Sequence, residues 1–398
     1  MIKSFLCSIL ILLSGVLSAQ VTEFSTDPEK FIKQMEKHLA SFNRSDAKEF
    51  AEVFEPVWLS MDASVKSQVI TMSNAMTAKK FRPYPEFKNY WQGVYECFGG
   101  KSNPEVFNQW QGILDELIEL RKKDRFQDFL ASSSGLIVSG ILYQSNVVRW
   151  DVRGGSFTFK YRQNSADIDI EDASLVCYAN DDSTVIEGTS GVFQAFSNKW
   201  EGRGGKVYWI RAGLDPGETY AELAAYLINI KTSAFRADSV MLTTPFFDEP
   251  IVGKIDEKVK RPPRSGKVSY PQFISDAQNL RIADVVPGVD YEGAFKLEGP
   301  VFIGSGKDES PASMIFYDRN DQPFIITRST DYMFDSTKIS ARSVEATILI
   351  GEDTISHPSV ILEYIMSDRK GPLERPRLSL TRPKEGLGQS PFLDTYHQ

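Results

Sequence analysis

The sequence is poor in the residues from which many catalytic and metal sites are built. Its 398 residues include only three cysteines and three histidines. Cys97 and Cys177 are the cysteines beyond the N-terminal leader, so a disulfide framework is excluded, while one bond between them or two buried thiols both stay open. His38, His357 and His397 do not stand at zinc-ligand spacing, and the HExxH motif is absent.

Motifs for nucleophilic catalysis and phosphate binding are also missing. No GxSxG elbow is present. The segment "IGSGKDES" (303–310) is close to a phosphate loop, but that motif requires glycine where Val301 stands and serine or threonine where Asp308 stands. The glycines of "GRGGK" (202–206) are typical of a hairpin turn. The sequence therefore provides no catalytic, cofactor-binding or metal-binding residue and favours a protein that is not an enzyme.

A basic stripe and, beyond the leader, a long hydrophobic run are absent as well. The formal net charge is −8, and an acidic chain without a basic stripe argues against nucleic acid as a partner. No later segment approaches the ~20 apolar residues of a membrane-spanning helix. The one basic stretch, "KIDEKVKRPPRSGKVSYP" (254–271), predicts an exposed linker between two β blocks, with contact to an anionic partner as the alternative.

What the chain does have at its start is an export signal. In "MIKSFLCSILILLSGVLSAQ", Lys3 precedes an apolar stretch that ends in small residues. This pattern predicts a signal peptide over residues 1–19, with a retained membrane anchor as the alternative. We therefore expect an exported protein of the periplasm or the outer membrane; an extracellular location is the alternative.

The next segment, residues 20–134, has helical periodicity. Asp27, Asp62 and Asn103 are predicted N-caps, and each precedes apolar residues that recur at helical spacing. Because each helix has one apolar side, we expect four to six antiparallel helices in a bundle. The methionines and tryptophans of these stripes predict core packing more than a ligand groove.

After Ser132–Gly135 the pattern changes to short strands and turns, so the fold class is α+β. The predicted β domain has a first block over residues 135–253 and a second over 272–398, with roughly ten to sixteen strands in all. The segment 218–230 is ambiguous between helix and strand, and its context favours strand. We expect a helical bundle followed by a β-rich stacked domain, either jelly-roll-like or β-helix-like, with an immunoglobulin-like sandwich as the alternative.

A six-residue pattern recurs three times in the β half. It reads apolar, any, Ala or Asp, any, Ser, apolar, and it occurs as "IEDASL" (170–175), "FRADSV" (235–240) and "ISARSV" (339–344). Each copy is followed by an apolar run, an acidic turn and another strand. The pattern predicts similar β units stacked on one another, with the small residues where backbones crowd or turn and the large residues facing the interior.

Two binding sites are conceivable on the β half. The first is a calcium site, built from carboxylates that share a strand face or lie near it: Asp167, Asp169, Glu171, Asp181 and Asp182. The alternative, which we favour, is the solvent face of a strand. The second is a sugar platform of Trp150, Trp200 and Trp209, although core or cross-strand packing is the expected role of each.

The stretch "ADIDIEDASLVCYANDDSTVIEGTSGVFQAF" (166–196) resembles the strand–turn–strand units of the OstA-like fold. In that fold the units stack into an open β-jellyroll that carries lipopolysaccharide across the periplasm. The tract "DYEGAFKLEGPVFIGSG" (290–306) and the ending "RLSLTRPKEGLGQSPFLDTYHQ" (377–398) resemble the N-terminal part of large uncharacterised exported proteins of Bacteroidota. The two resemblances imply lipid transport and a location in the cell envelope, respectively.

The C-terminal ending has neither a terminal helix nor a polar cap. A stacked sheet that ends this way exposes an edge, which natural proteins cover. We therefore expect a longer chain that continues beyond residue 398; the alternative is an envelope or outer-membrane protein that covers the edge, with lipid and glycan as further ligand classes. The sequence favours a non-enzymatic scaffold or lipid/envelope-assembly module; the alternatives are a carbohydrate-active or sugar-binding β-helix protein and a surface adhesin.

Overall fold

In a computed structural model the chain has an α+β fold. The structure describes residues 23–99, 103–120, 122–261, 268–307, 309–335, 337–366 and 377–381. These residues form two compact units. Unit 1 comprises the residues up to 144 together with 149–170 and 192–198, and unit 2 comprises 145–148, 171–191 and the residues from 199 onward. The predicted signal peptide, residues 1–19, lies outside the described residues.

Unit 1 begins with six helices. They are α1 (Pro28–Ala40), α2 (Arg44–Ser60), α3 (Ala63–Ala78), α4 (Lys88–Gly99), α5 (Pro104–Glu119) and α6 (Lys123–Ser139). Asp27 and Asn103 are N-caps as predicted, since each side chain accepts a backbone N–H of the first turn. Asp62 precedes α3 without such a bond. Among the described helices, none has the length and apolar character required to cross a membrane.

The helical core is built on tryptophans whose ring nitrogens are all bonded. Trp58, Trp91 and Trp110 are fully buried. Trp91 Nε1 donates to Ser73 Oγ at 3.0 Å, and Trp110 Nε1 donates to Ser133 Oγ at 2.8 Å. Buried indole N–H groups require such partners. The stripes are therefore core packing, as predicted.

The helical part extends past the predicted boundary at Ser134. The serines of "SSSG" (132–135) lie inside α6, where their hydroxyls bond to carbonyls one turn earlier. The helix ends at Ser139 because Gly140 has a φ of +74°, the left-handed conformation that terminates helices. The helix continues through these serines because their side chains bond to its own backbone, and the boundary predicted at Ser134 is therefore wrong.

Twenty-one strands follow among the described residues, more than the ten to sixteen expected. The first eleven are β1 (Ile141–Gln144), β2 (Arg149–Arg153), β3 (Ser156–Arg162), β4 (Ser165–Ala179), β5 (Asp182–Gln194), β6 (Lys199–Arg203), β7 (Lys206–Tyr208), β8 (Tyr220–Glu222), β9 (Ala225–Asn229), β10 (Ala234–Thr243) and β11 (Ile251–Lys258). The others are β12 (Gln272–Ser275), β13 (Leu280–Val286), β14 (Val289–Glu298), β15 (Val301–Ser305), β16 (Ala312–Tyr317), β17 (Pro323–Ser329), β18 (Asp331–Phe334), β19 (Lys338–Ile350), β20 (Asp353–Ile365) and β21 (Arg377–Thr381).

Two predictions from the sequence concern segments that form these strands. The ambiguous segment 218–230 forms β8 and β9, as its context predicted. Residues 254–258 of the predicted linker belong to β11, because Ile255 and Glu257 alternate on a buried face; residues 262–267 of that linker lie outside the described part of the chain. Cys97 and Cys177 are both buried and unbonded, which is the alternative of two buried thiols.

Unit 2 contains the same strand arrangement twice, which we call module A (β5–β12) and module B (β14–β21). In module A, β7 pairs with β5 and β8, β6 pairs with β9, and both β8 and β9 pair with β10. In module B, β16 pairs with β14 and β17, β15 pairs with β18, and both β17 and β18 pair with β19. Each module then adds a hairpin partner and one more strand, β11 and β12 or β20 and β21.

The recurrent six-residue pattern coincides with a bend in these long strands. In β10 the register shifts between Ala237 and Val240, and in β19 it shifts between Ala341 and Val344. Both shifts lie between the third and the sixth residue of the pattern, in "FRADSV" and in "ISARSV". A register shift of this kind is a β-bulge. In "IEDASL" the corresponding feature is Asp172, with a φ of +52°. The prediction that small residues stand where the backbone turns is thus confirmed.

Cross-strand glycine–tyrosine pairs also recur in the two modules. Gly202 of β6 lies opposite Tyr226 of β9, and Gly304 of β15 lies opposite Tyr332 of β18. Both tyrosines are buried. These glycines belong to the "GRGGK" and "IGSGKDES" segments, so their role in the structure is close packing against tyrosine rings within a sheet.

The interior of unit 2 is packed with apolar side chains in its described part. One inward ladder crosses seven successive strands and consists of Ile255, Phe273, Leu297, Phe302, Phe334, Ile339 and Tyr364, all of them buried. The Phe302 ring stacks on Phe334 at 4.2 Å and on Phe295 at 4.6 Å between centroids. All strand pairings described here are antiparallel, which fits the jelly-roll-like alternative and not the β-helix-like one, whose strands stack in parallel.

Candidate functional site

The last two strands of module B form the candidate site. Within the described residues, β21 pairs on one side only, with Ile361–Ile365 of β20. We call its other side, Arg377–Thr381, the terminal edge. An unpaired strand presents a row of N–H and C=O groups, and these can accept a strand from elsewhere.

The equivalent strand of module A is paired on both sides. Phe273 of β12 lies opposite Ile255 of β11 on one side and opposite Leu297 of β14 on the other. Leu380 of β21 lies opposite Leu362 of β20 and occupies the position of Phe273. Module A is therefore joined to module B through the side of β12 that pairs with β14. The corresponding side of β21 has no paired strand among the described residues.

The inward side chains are also more buried beside β12 than on β21. Phe273 and Pro271, two residues before it, are buried, because β14 completes the sheet beside them. Their counterparts Leu380 and Leu378 lie opposite the buried residues Leu362 and Tyr364 of β20 but remain half-buried. Among the described residues, the terminal edge thus combines backbone groups without a strand partner and inward apolar side chains that are only half-buried.

The neighbouring part of β20 is protected against pairing. Residues 353–357 of β20 pair with β19. Pro358 has no N–H to donate, and Asp353 places a charge at the start of the strand; both features discourage edge-to-edge pairing. His357 Nδ1 accepts the Ser359 N–H at 3.1 Å, which uses one of the remaining donors.

The carboxylates considered for calcium do not form a metal site. Each is paired with a cation: Asp169 with Lys160 at 2.6 Å and with Arg162, Asp167 with Arg162 at 3.4 Å, Glu171 with Arg203 at 2.5 Å, Asp181 with Arg261 at 3.9 Å and Asp182 with Arg211 at 2.9 Å. Across the described ranges no cluster of three or more ligating side chains is present. The calcium alternative gains no support from this geometry, because each of these carboxylates has an arginine or lysine within 4 Å.

Unit 2 contains a buried ionic cluster that was not predicted from the sequence. Arg211 lies in a short 3-10 helix, Ile210–Ala212, and bridges Asp182 of β5 and Glu257 of β11. The Glu257 side chain is fully buried, and its Oε2 has no hydrogen-bond partner. Burial raises the pKa of Glu257 to about 7, although the Arg211 charge opposes the shift. The alternation in "IDEKV" (255–259) was the available signal, since it places Glu257 on the apolar face.

Two of the histidines and the three tryptophans considered as a sugar platform lie in the described part of the chain. His38 is buried among Phe24, Phe87 and Trp91, and this burial lowers its pKa to about 4. His357 lies on β20, and His397 lies outside the described residues. The tryptophans proposed as a sugar platform, Trp150, Trp200 and Trp209, are fully buried. That alternative is wrong, because all three rings belong to cores.

No family model, curated protein or solved structure matches this chain.

Proposed function

We propose that the chain is a non-enzymatic scaffold of the cell envelope, in which stacked β modules provide an edge for assembly with an envelope protein. The observation that carries this proposal is the equivalence of β12 and β21. Module A uses β12 to join the next module, and module B ends in the same kind of strand. A module with a joining strand at its end is suited to assembly.

The packed interior supports a scaffold over a conduit. A lipid-carrying jellyroll needs an apolar groove that stays open for acyl chains, whereas Phe302 here stacks directly on Phe334 and Phe295. The antiparallel, jelly-roll-like pairing remains compatible with the resemblance to OstA-like units. The role we propose is therefore structural, in envelope assembly, without lipid passing through unit 2.

The location follows from the leader and is part of the proposal. The charged start and the apolar stretch of residues 1–19 support export. Placement in the periplasm or at the outer membrane then follows from the resemblance to exported proteins of Bacteroidota. The sugar-binding alternative loses its support, because the aromatic side chains on which it depended are buried and the strand pairing is antiparallel.

Cell fractionation combined with gene deletion tests this function. A C-terminally tagged full chain should be found with the periplasmic or outer-membrane fraction. Deletion should increase envelope permeability to a large dye, and the wild-type gene should restore the barrier. A cytosolic chain, or a deletion strain with an unchanged barrier and unchanged envelope composition, would contradict the proposal.

A conduit can be distinguished by direct lipid binding. Full-length protein incubated with radiolabelled lipopolysaccharide or phospholipid should retain no label after gel filtration. Stoichiometric retention would overturn the scaffold role in favour of lipid transport. Unrelated exported proteins of similar net charge serve as the control for non-specific retention.

A further inference from the structure

We propose that the buried ionic cluster of Asp182, Arg211 and Glu257 is a proton-operated latch in unit 2. The segment that it controls is residues 209–219, which join β7 to β8 and contain the 3-10 helix Ile210–Ala212. The latch holds this segment closed while Glu257 is protonated, and the segment opens when Glu257 ionises. The inference goes beyond the proposed scaffold function and does not depend on it.

The Arg211 guanidinium fastens the segment to two strands of module A. Its Nη1 donates to Asp182 Oδ2 of β5 at 2.9 Å, and its Nη2 donates to Glu257 Oε1 of β11 and to the Lys258 carbonyl oxygen at 3.3 Å. Residues 209–219 contain no strand. The segment is therefore held against module A by side-chain contacts such as these and not by a sheet ladder.

Glu257 is poorly accommodated in this cluster as a carboxylate. Its side chain is fully buried, and its Oε2 has no hydrogen-bond partner among the described residues. When Glu257 is ionised, the one positive charge of Arg211 faces two negative charges, because Asp182 already pairs with it. Protonation of Glu257 leaves one guanidinium and one carboxylate. A buried charge without full compensation is costly, so the closed form favours the protonated state.

The other groups that face Glu257 come from β4, β10 and its own strand. β4 contributes the Cys177 thiol, whose pKa is raised first by burial and then by the charge of Glu257. On β10 the residue opposite is Phe235, which carries no charge. Within β11, Asp256 opposes the ionisation of Glu257 and the Lys258 backbone favours it. Burial is the largest influence and raises the pKa of Glu257 to about 7, so the latch acts near neutral pH.

The direction of the response follows from the proton affinities of the two forms. In the open form Glu257 is in contact with water, and its pKa returns toward the usual 4.5. The closed form therefore binds more protons than the open form between these two values. Opening becomes more favourable as pH rises through this window, and below it the segment stays closed.

Cys177 is the reporter of the open form, because it is buried and unbonded beside the cluster. Modification of the full-length protein by methyl methanethiosulfonate would be followed at Cys177 by mass spectrometry. The rate for a synthetic peptide of residues 170–184, divided by the rate for the protein at the same pH, gives a protection factor free of the pH dependence of thiol chemistry. We expect this factor to fall by roughly tenfold or more between pH 5.5 and pH 8. A constant or rising factor would overturn the inference.

Two variants of adjacent residues on β11 identify the titrating group. Glu257→Gln removes the proposed proton site, and Asp256→Asn neutralises the neighbouring carboxylate, which pairs with Arg236 at 2.8 Å. We expect the protection factor of the first to change by less than about threefold between pH 5.5 and pH 8, and that of the second to fall as in wild type. The opposite assignment contradicts the latch. If Glu257→Gln does not fold, the wild-type profile decides by itself.

Urea distinguishes opening of the segment from unfolding of unit 2. Denaturant accelerates an opening reaction in proportion to the surface that it exposes, and a single segment exposes little. At pH 8, the modification rate in 1 M urea should remain within about twofold of the rate without urea. Acceleration as steep as that of global unfolding, followed by tryptophan fluorescence in the same urea series, would overturn the latch. Because these measurements use purified protein, failure of the scaffold proposal leaves them unaffected.

Discussion

At the scale of single residues, two glycines determine how closely the strands of unit 2 approach tyrosine rings. A methyl group on Gly304 would lie 2.5 Å from the Tyr291 ring, and one on Gly202 would overlap the Tyr226 ring. The Tyr291 hydroxyl donates to the Ala294 carbonyl oxygen at 2.6 Å, and the Tyr226 hydroxyl lies 2.5 Å from Thr189 Oγ1. The rings therefore have little freedom to move away, since buried hydroxyls lose a bond when displaced.

We expect Gly202→Ala and Gly304→Ala each to lower the free energy of unfolding by about 2 kcal/mol, the cost of overpacking a core. Gly112 in α5 has no atom near its added methyl group, so Gly112→Ala should instead stabilise by about 1 kcal/mol through helix propensity. Urea unfolding followed by tryptophan fluorescence measures all three. Destabilisation by Gly112→Ala of the same size would show that the glycine–tyrosine contacts are not the cause.

The buried Glu257 predicts a dependence of stability on pH. Its pKa is raised from the usual 4.5 to about 7 in the folded state, chiefly by burial. The folded protein therefore binds more protons than the unfolded chain between these values, and stability falls as pH rises through this window, by up to about 3 kcal/mol. Above pH 7 the loss is complete.

The variant Glu257→Gln removes this titration while it keeps the side-chain shape. The difference in melting temperature, variant minus wild type, should increase between pH 5 and pH 8. Arg211 retains its pair with Asp182 in the variant, so the comparison is not one of an unpaired buried arginine. A difference that stays constant across this range would contradict a raised pKa of Glu257.

At the scale of elements, the two equivalent bulges differ in one dihedral angle. Ser239 in β10 has a φ of +55°, whereas its counterpart Ser343 in β19 is not in the left-handed region. Glycine adopts positive φ without steric cost, but it costs about 0.5–1 kcal/mol elsewhere in a strand. The same substitution should therefore have opposite effects at the two positions.

Ser239→Gly should stabilise the protein by about 0.5 kcal/mol, and Ser343→Gly should destabilise it by about 1 kcal/mol. The second change also removes the exposed bond between Ser343 and Ser359. Both serines are exposed, so changes in core packing do not enter. Equal effects in urea unfolding would indicate that the two bulges have the same backbone conformation in solution.

The elements themselves were largely predictable, and their long-range arrangement was not. Helix starts at Asp27 and Asn103 follow from local capping, which depends on a few neighbouring residues. The duplication of modules was visible only as "FRADSV" and "ISARSV". The strands between them differ in length and sequence, because only inward positions such as Phe273 and Leu380 are constrained by the core.

The candidate site was predictable in kind but not in place. A sheet edge was expected from the ending of the sequence, yet nothing in "RLSLT" (377–381) by itself distinguishes a paired strand from an unpaired one. The register of β21 against β20, and its equivalence to β12, provide that information. Buried ion pairs such as Arg211–Glu257 join elements far apart in sequence, so composition does not predict them.

At the scale of unit 2, successive modules share a sheet, and stability should decrease toward the unpaired end. In stacked architectures each layer is stabilised by its neighbours, and a terminal layer without a cap has only one. β12 lies between β11 and β14, whereas β21 pairs with β20 alone within the described residues. Backbone amides of a strand that is paired on one side open more readily than those of a strand that is paired on both sides.

Hydrogen–deuterium exchange measures this gradient. Amides of β21 should exchange at least tenfold faster than those of β12. The comparison is internal, because Leu380 and Phe273 occupy equivalent positions in one molecule. Equal protection of both strands in the free protein would mean that β21 is already covered in solution and that the terminal edge is not available to a partner.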